Sequence, residues 1–395
     1  MTKEEVTEEI QAIKNNNVLL ELPTSFGKSK QALDIMTRKN PDTVLIVVPR
    51  LVLINSWKDE FIKWKLSDWL GRVTFSTYVG LRKFENAKFD MVIFDECHHL
   101  TDRALGYVDS MTIKHSTLLS ATVAKLRDYL KMYFDDLYCY KVTAKEAIDN
   151  SILPDPKVYL IGYKLDNTVR SELFEIKSSK KGKRVVCNIE DKWKYLKDKS
   201  YGTVILRVTQ QQYIMELNSK IEYWKNMYFR KKKKNDFFKD KWLQLAGVRL
   251  KVLSTFKNPI VKQLLVKLNK NRVLTFCNSI EQTKALGDNY INTENKDSDL
   301  VLSRFNQKKV NHITSCNMLN EGVNLVDCQV GIYASVNSSD ILIKQKLGRI
   351  LRHPNPVLII PYYIGTREEE IVGKMLEDYN PELITEVDNL NQIVI

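Results

Sequence analysis

VLLELPTSFGKS, from Val18 to Ser29, decides how the rest of the chain is read. A short apolar run, a turn containing Gly27 and a helical pattern after it describe a buried strand opening onto a helix N-terminus. Unpaired backbone N–H groups and the helix dipole favour an anion at such an end. Lys28 is the charge placed there and Ser29 is the hydroxyl. In a phosphate-binding loop that lysine reaches the β- and γ-phosphates and the hydroxyl ligates Mg2+. Leu22 occupies the place of the first glycine in the usual G-x-x-x-x-G-K-[ST] pattern, so the stretch alone also fits a solvated lysine after a turn. The second half of the argument is MVIFDECHH, Met91 to His99. Its apolar residues suit the middle of a parallel sheet, and two carboxylates emerge at the C-terminal end of the strand, where open α/β sheets bind ligands. Asp95 can hold Mg2+ and Glu96 can orient or deprotonate a water. Helix capping is the plainer role for such a pair; its order and distance from Lys28 favour the chemical one.

The 395 residues allow two or three domains, and 44% hydrophobic content can supply sizeable cores. No run approaches the ~18 apolar residues of a membrane span, and the polar N-terminus is not a signal peptide, so an intracellular, cytoplasmic protein with no membrane partner is expected. Six cysteines are scattered without any Cys-x-x-Cys, which argues against a zinc site or a disulfide framework. Most should be small buried hydrophobes. The net charge is +13, and 22 lysines and arginines against 10 acids fall between Asp166 and Thr255. So concentrated a basic segment points to a polyanion, of which nucleic acid is the usual one.

Working outward, Thr2 to Glu5 has capping-box spacing and starts a helix running to about Lys14. Lys28 to Lys39 reads as a helix and Thr43 to Val48 as a second buried strand, with a further helix after Pro49. Strands are expected at Val73–Thr77, Met91–Asp95, Ser116–Ser120 and Leu137–Val142. Strands alternating with helices imply a parallel sheet covered on both faces. The rhythm returns late, with strands at Arg272–Phe276, Val310–Thr314, Val330–Ala334 and Val357–Ile360 and a helix at Ser339–Leu351. Val158 to Tyr163 reads as the strand by which the chain enters this second unit, and the tail from Asn380 has no evident partner. Between the two lies the basic segment. Thr209 to Gln212 has capping-box spacing, Ile214, Leu217, Ile221, Trp224 and Tyr228 recur every three or four residues, and Phe238, Trp242, Leu245 and Val252 suggest a returning helix. The result is a helical hairpin whose apolar stripe is its own core and whose tip carries Lys231, Lys232, Lys233 and Lys234. Those four lysines are candidate phosphate contacts.

The motifs then fall into a recognisable order, and the chain resembles the superfamily 2 helicases and translocases of the DExH group. Leu22–Ser29 matches motif I, which in this superfamily lacks the first glycine. Val48–Leu51 resembles motif Ia and Ser76–Tyr78 a neighbouring strand-contact motif. Asp95–His98 matches motif II, Leu119–Thr122 motif III, Phe276–Asn278 motif IV, Leu319–Leu325 motif V and Gln345–Arg352 motif VI. The resemblance implies two tandem RecA-like domains with ATP and Mg2+ in the cleft between them. The first would span 1–150; the second would comprise 151–165 and 256–395, interrupted at 166–255 by a basic, mainly helical insertion.

By the same resemblance, Thr24, Ser25, Phe26, Gly27, Lys28 and Ser29 cradle the nucleotide with Gly322 and Asn324, and Ser29 and Asp95 hold Mg2+. Lys28, Asp95 and Glu96 act catalytically with Gln345, Arg349 and Arg352 reaching across the cleft. Pro49, Arg50 and Thr77 would meet nucleic acid, while His98, Ser120 and Thr122 would couple the two sites. Asn324 replaces a frequent aspartate, and Gln11 is the one candidate for an adenine-reading glutamine. The run Ala147–Pro154 into Lys157–Tyr159, with the insertion ahead of motif IV, resembles phage recombination helicases and restriction-enzyme translocase subunits, and the compact length would suit a virus-encoded protein. The leading expectation is an ATP-dependent DNA helicase or translocase acting on duplex, forked or branched DNA. An RNA helicase or RNA-stimulated ATPase is the first alternative, and a nucleotide-switched nucleic-acid clamp is the second.

Overall fold

Two all-parallel sheets organise the computed structural model, which describes residues 1–121, 123, 126–177, 181–230, 236–316, 325–336, 350, 352–377 and 379–395. The first sheet contains β1 (Asn17–Glu21), β2 (Val44–Val48), β3 (Val73–Thr77), β4 (Lys88–Phe94), β5 (Thr112–Ser120) and β6 (Tyr138–Lys141), in the order β3-β2-β4-β5-β1-β6. Every residue of β2 is buried, as an interior parallel strand covered on both faces requires. Two apolar clusters lie on the opposite faces, one around Leu20, Ile46 and Ile93 and the other around Leu19, Val47 and Phe94.

The helices here follow their local signals. α1 (Lys3–Ala12) starts in the capping box of Thr2 and Glu5. α2 (Lys28–Lys39) buries Ala32, Leu33, Ile35 and Met36 and stops at Asn40, whose left-handed backbone (φ 46°) returns its N–H to the Met36 carbonyl. α3 (Val52–Lys63) buries Leu53, Trp57 and Phe61.

The strand order matters more than the inventory. β4, β5 and β1 are consecutive neighbours, so their C-terminal ends bring together Asp95, Ser120 and the loop from Leu22 to Ser29. Ser120 seals this junction by accepting a hydrogen bond on its carbonyl from Leu22 N–H at 3.0 Å.

The second sheet contains β7 (Lys157–Tyr163), β11 (Val273–Phe276), β12 (Tyr290–Ile291), β13 (His312–Ser315), β14 (Val330–Tyr333), β15 (Val357–Tyr363) and β16 (Ile384–Glu386), in the order β12-β13-β11-β14-β15-β7-β16. The tail does have a partner: β16 pairs with β7, Val387 and Ile393 are buried, and Tyr159 donates its hydroxyl proton to the Val394 carbonyl at 2.7 Å. Those two apolar residues were the legible signal; with Pro381 and three asparagines nearby, the segment lacks a strand's alternation.

The basic segment is sheet-like at its root and helical along the hairpin arms beyond it. β8 (Glu172–Lys177), β9 (Lys183–Asn188) and β10 (Tyr201–Val208) form a small sheet in the order β8-β10-β9, with Lys177, Arg184 and Arg207 among its outward positions, where they add to the segment's charge. Its inner face, with Phe174, Val204, Leu206 and Val208, packs on Ile214, Leu217 and Leu253 of the hairpin. The hairpin helices, Gln210–Arg230 and Asp236–Phe256, are 21 residues each, about 31 Å long. Thr209 and Gln212 exchange the capping hydrogen bonds expected of their spacing. Trp224 stacks on Phe238 with ring centroids 5.8 Å apart, so it serves the hairpin's own core. Where the hairpin ends, Lys257 is fully buried and donates to Glu368 Oε1 at 2.6 Å and to the Pro361 carbonyl at 3.2 Å. The lysines 231–234 lie outside the described residues.

Candidate active site

β1 ends in Glu21, whose buried carboxylate pairs with Arg127 and lies 3.5 Å from Lys141 Nζ. The chain then enters the loop. Ser25 (φ 71°) and Gly27 (φ 103°) take left-handed conformations, which turn the backbone into the start of α2. Gly27 caps the helix without a side-chain hydrogen bond, so the first N–H groups of α2 face the loop's concavity. Lys28 is nearly buried there; its ammonium donates to the Leu22 carbonyl at 3.3 Å and lies 3.9 Å from Glu96 Oε1.

Asp95 follows β4 in the interior. Its carboxylate Oδ2 accepts the indole N–H of Trp57 at 2.9 Å, and its carbonyl accepts the Tyr78 hydroxyl at 2.7 Å. Burial and the adjacent Glu96 charge push its carboxyl up to about 6, against the opposing pull of Trp57 and Lys28. Glu96 is held in the left-handed region (φ 51°) with 8% of its surface exposed. Its Oε2 is buried without a hydrogen-bond partner among the described residues, with His98 Nδ1 3.5 Å away. His98 Nδ1 in turn shares a 3.1 Å hydrogen bond with Ser120 Oγ. Glu96 thus combines a left-handed backbone with a buried carboxylate oxygen that has no hydrogen bond among the described residues, two costs met most often at functional sites.

These groups open onto a cavity of about 880 Å3. It is lined by Thr24, Ser25, Phe26, Gly27, Lys28, Ser29, Asp95 and Glu96, by Lys3, Glu4, Thr7 and Glu8 of α1, and by α3 from Leu53 to the Trp64 that follows it. Arg352 arrives from the second sheet's side, with Nε 3.4 Å from Ser25 Oγ. Two residues before it, Ile350 is buried against β14, where its Cδ1 would lie 1.9 Å from a Cβ on Gly331. The bare backbone at Gly331 therefore lets this segment approach the sheet closely.

The other expected positions are separated. Pro49 and exposed Arg50 follow β2 and Thr77 ends β3, so they lie along the strand ends beside Asp95. Gln11 is on α1, but the α1 residues at the cavity are the four named above. Thr122, Gly322, Asn324, Gln345 and Arg349 lie outside the described residues. Trp57 was not singled out from the sequence, and Tyr78 was named there only as the end of the Ser76–Tyr78 motif, with no role toward Asp95. Among the described residues no group of three or more His, Cys, Asp or Glu could hold a metal, and no helix is long and apolar enough to cross a membrane. Five of the six cysteines are buried.

Comparison with known proteins agrees with this geometry. Residues 257–354 match the family model described as the helicase conserved C-terminal domain. The DNA 3'-5' translocase XPB2 of Sulfurisphaera tokodaii is 22% identical over 389 residues, covering 93% of this chain and 80% of that protein. Dbp5 of S. cerevisiae, solved bound to RNA and ADP BeF3, shares the fold with a TM-score of 0.59 at 11% identity, covering 98% of this chain and 89% of that one. The ATP-dependent Type ISP restriction-modification enzyme LlaBIII, solved bound to DNA, does so with a TM-score of 0.54 at 13% identity, over 98% of this chain and 31% of that one. Paired parallel sheets, the ordered motifs and these similarities point one way: residues 257–354 match a helicase C-terminal domain, and the chain along most of its length is similar to helicases and nucleic-acid translocases.

Proposed function

We propose that this enzyme is a DNA helicase or duplex translocase that remodels forked or branched DNA. The observation that carries the reading is the basic hairpin, rooted on the second sheet by Lys257 and Glu368 and ending in Arg230 and four consecutive lysines. Such a projection gains affinity by releasing counterions from closely spaced phosphates, and its length would let it reach past the cleft to a junction. The similarity to a DNA translocase along most of the chain supports DNA over RNA.

In this reading Lys28 binds the terminal phosphates and Glu96 takes a proton from the attacking water, for which its unpartnered Oε2 is suited. Arg352, beside Ser25, neutralises charge developing on the γ-phosphate with Gln345 and Arg349; such an arginine is worth ~10³-fold or more in rate. The residues also fit Mg2+: an aspartate whose charge is destabilised by its neighbour Glu96 gains from a dication. Ser29 and Asp95 would hold it, and when bound it supplies Lewis-acid neutralisation of phosphate charge. The residues assigned here to domain 1 (1–150), domain 2 (151–165 and 256–395) and the insertion (166–255) divide the labour: nucleotide, closure and junction.

Steady-state ATPase rates with single-stranded DNA, forked DNA and duplex RNA test the reading. Forked DNA should stimulate most. Stimulation by RNA alone would replace DNA with RNA as the substrate, and turnover indifferent to all three would sink the proposal in favour of a clamp.

A further inference from the structure

Three adjacent strands, in the order β3-β2-β4, end in segments that each reach Asp95. After β2 come Arg50 and then α3, two turns along which Trp57 donates its indole N–H to Asp95 Oδ2 at 2.9 Å. After β3, Thr77 is followed directly by Tyr78, whose hydroxyl donates to the Asp95 carbonyl at 2.7 Å. Asp95 itself extends β4, donating its N–H to the Val47 carbonyl at 2.8 Å. Both aromatic residues are buried, and each ends in a polar atom spent on Asp95. A core needs no indole or phenol hydroxyl; Phe would fill either site without having to satisfy a buried donor.

The Tyr78 turn is also tightly specified. Thr77 Oγ1 accepts the Gly80 N–H at 3.3 Å, and a Cβ on Gly80 would stand 2.6 Å from Ser76 Oγ. A displacement of Thr77 is therefore passed to Tyr78 rather than absorbed by a loose loop.

We infer that Trp57 and Tyr78 are positioning residues that link nucleic-acid contact at Arg50 and Thr77 to the placement of Asp95 in the nucleotide cleft. The link is separate from the His98–Ser120 contact: it reaches Asp95 from the β2 and β3 side, whereas His98 and Ser120 lie toward β5. It rests on the proposed reading in which Arg50 and Thr77 meet the nucleic acid and Asp95 serves the nucleotide.

The test is thermodynamic coupling rather than turnover. The affinity of a non-hydrolysable fluorescent ATP analogue with Mg2+ is measured with and without saturating oligo(dT), in wild type, Tyr78→Phe and Trp57→Phe. Wild type should bind the analogue about 5-fold or more tightly with DNA present, the lower range of ordinary coupling between two sites. In both variants that ratio should fall toward one, while oligo(dT) affinity without nucleotide stays within about twofold of wild type, because only a coupling free energy has been removed. An unchanged ratio in both variants would overturn the link and leave the proposed function standing. Loss of analogue binding by the same factor with and without DNA would mean that the two residues merely support the cleft. A wild-type ratio of one would overturn the link together with the nucleic-acid-coupled reading on which it rests.

Discussion

The proposed nucleotide cleft and the hairpin obey opposite rules. In the cleft Lys28, Asp95 and Glu96 are nearly buried, and their separations are set by named atoms on neighbouring strands. Along the outer half of the hairpin the aromatic rings meet one another, Tyr223, Phe229 and Phe237 are more than half exposed, and charge is supplied by repetition of lysine. Bond-making chemistry depends on position to a fraction of an ångström, whereas attraction to a polyanion depends on how much charge is gathered near it. If that contrast is right, the cleft should fail on the smallest change of atom and the hairpin tip should respond only to the amount of charge.

Glu96→Gln makes the smallest change at the most position-dependent site and should have the largest effect. It keeps shape and volume but cannot take a proton, so ATP turnover should fall by about 10²- to 10⁴-fold. Nucleotide binding, followed by equilibrium titration, should survive. Turnover near the wild-type rate would move the general base elsewhere and undo the assignment of the site.

The root of the hairpin should behave like the cleft, not like the tip. Lys257→Met leaves the Glu368 carboxylate, 1% exposed, without its ion partner, although the Tyr363 N–H still donates to it at 3.0 Å. Removing one member of a buried pair costs about 3–5 kcal/mol. Chemical denaturation should report that loss, and the double replacement Lys257→Met with Glu368→Leu should recover most of it. A neutral single variant would show that the pair is not what fixes the hairpin to the second sheet.

How much of this was legible in the sequence follows the same division. α2 was legible to the residue because its start is a chemical motif and its end an asparagine that tolerates a left-handed backbone. The gathering of Lys28, Asp95 and Glu96 was legible because a lysine loop and a strand-end Asp-Glu pair come in a fixed order, and the structure places all three at one cavity. The link of Trp57 and Tyr78 to Asp95 was not legible: an aromatic at core periodicity reads the same whether or not its polar atom has a specific acceptor. β8, β9 and β10 were hidden for a third reason, since the basic residues that mark a binding segment in composition also lie among the outward positions of a small sheet. The pairing of β16 with β7, far apart in sequence, is a tertiary contact that local patterns do not encode.

Asp95→Asn separates function from stability within the cleft. A carboxyl whose folded value is raised to about 6 costs the folded state nothing while it is protonated in both folded and unfolded chains. As pH rises from about 4 through 6, the unfolded chain ionises more readily, and the native state loses up to about 3 kcal/mol relative to a neutral residue there. Asp95→Asn should therefore abolish turnover yet raise thermal stability at pH 7.5, with the advantage shrinking toward pH 4. A variant no more stable than wild type at pH 7.5 would mean that Lys28 and Trp57 compensate the charge fully.

The smallest effect is expected at the tip, and it is the sharpest test of the contrast. Replacing Lys231 to Lys234 by glutamine removes four potential phosphate contacts, so the slope of log affinity against log salt on duplex DNA should flatten by up to about 3–4. ATP affinity and unfolding midpoint should not move, because in this reading the four lysines contribute charge alone. Exchanging Lys234 with Asn235 keeps the charge and shifts its position by one residue. Affinity and salt slope should then match wild type, in a region where quantity of charge is the variable, although a one-residue displacement of Glu96 would destroy the cleft. If the exchange cost as much as the fourfold replacement, the tip would have to be read as a site with defined contacts, and the hairpin would belong with the cleft.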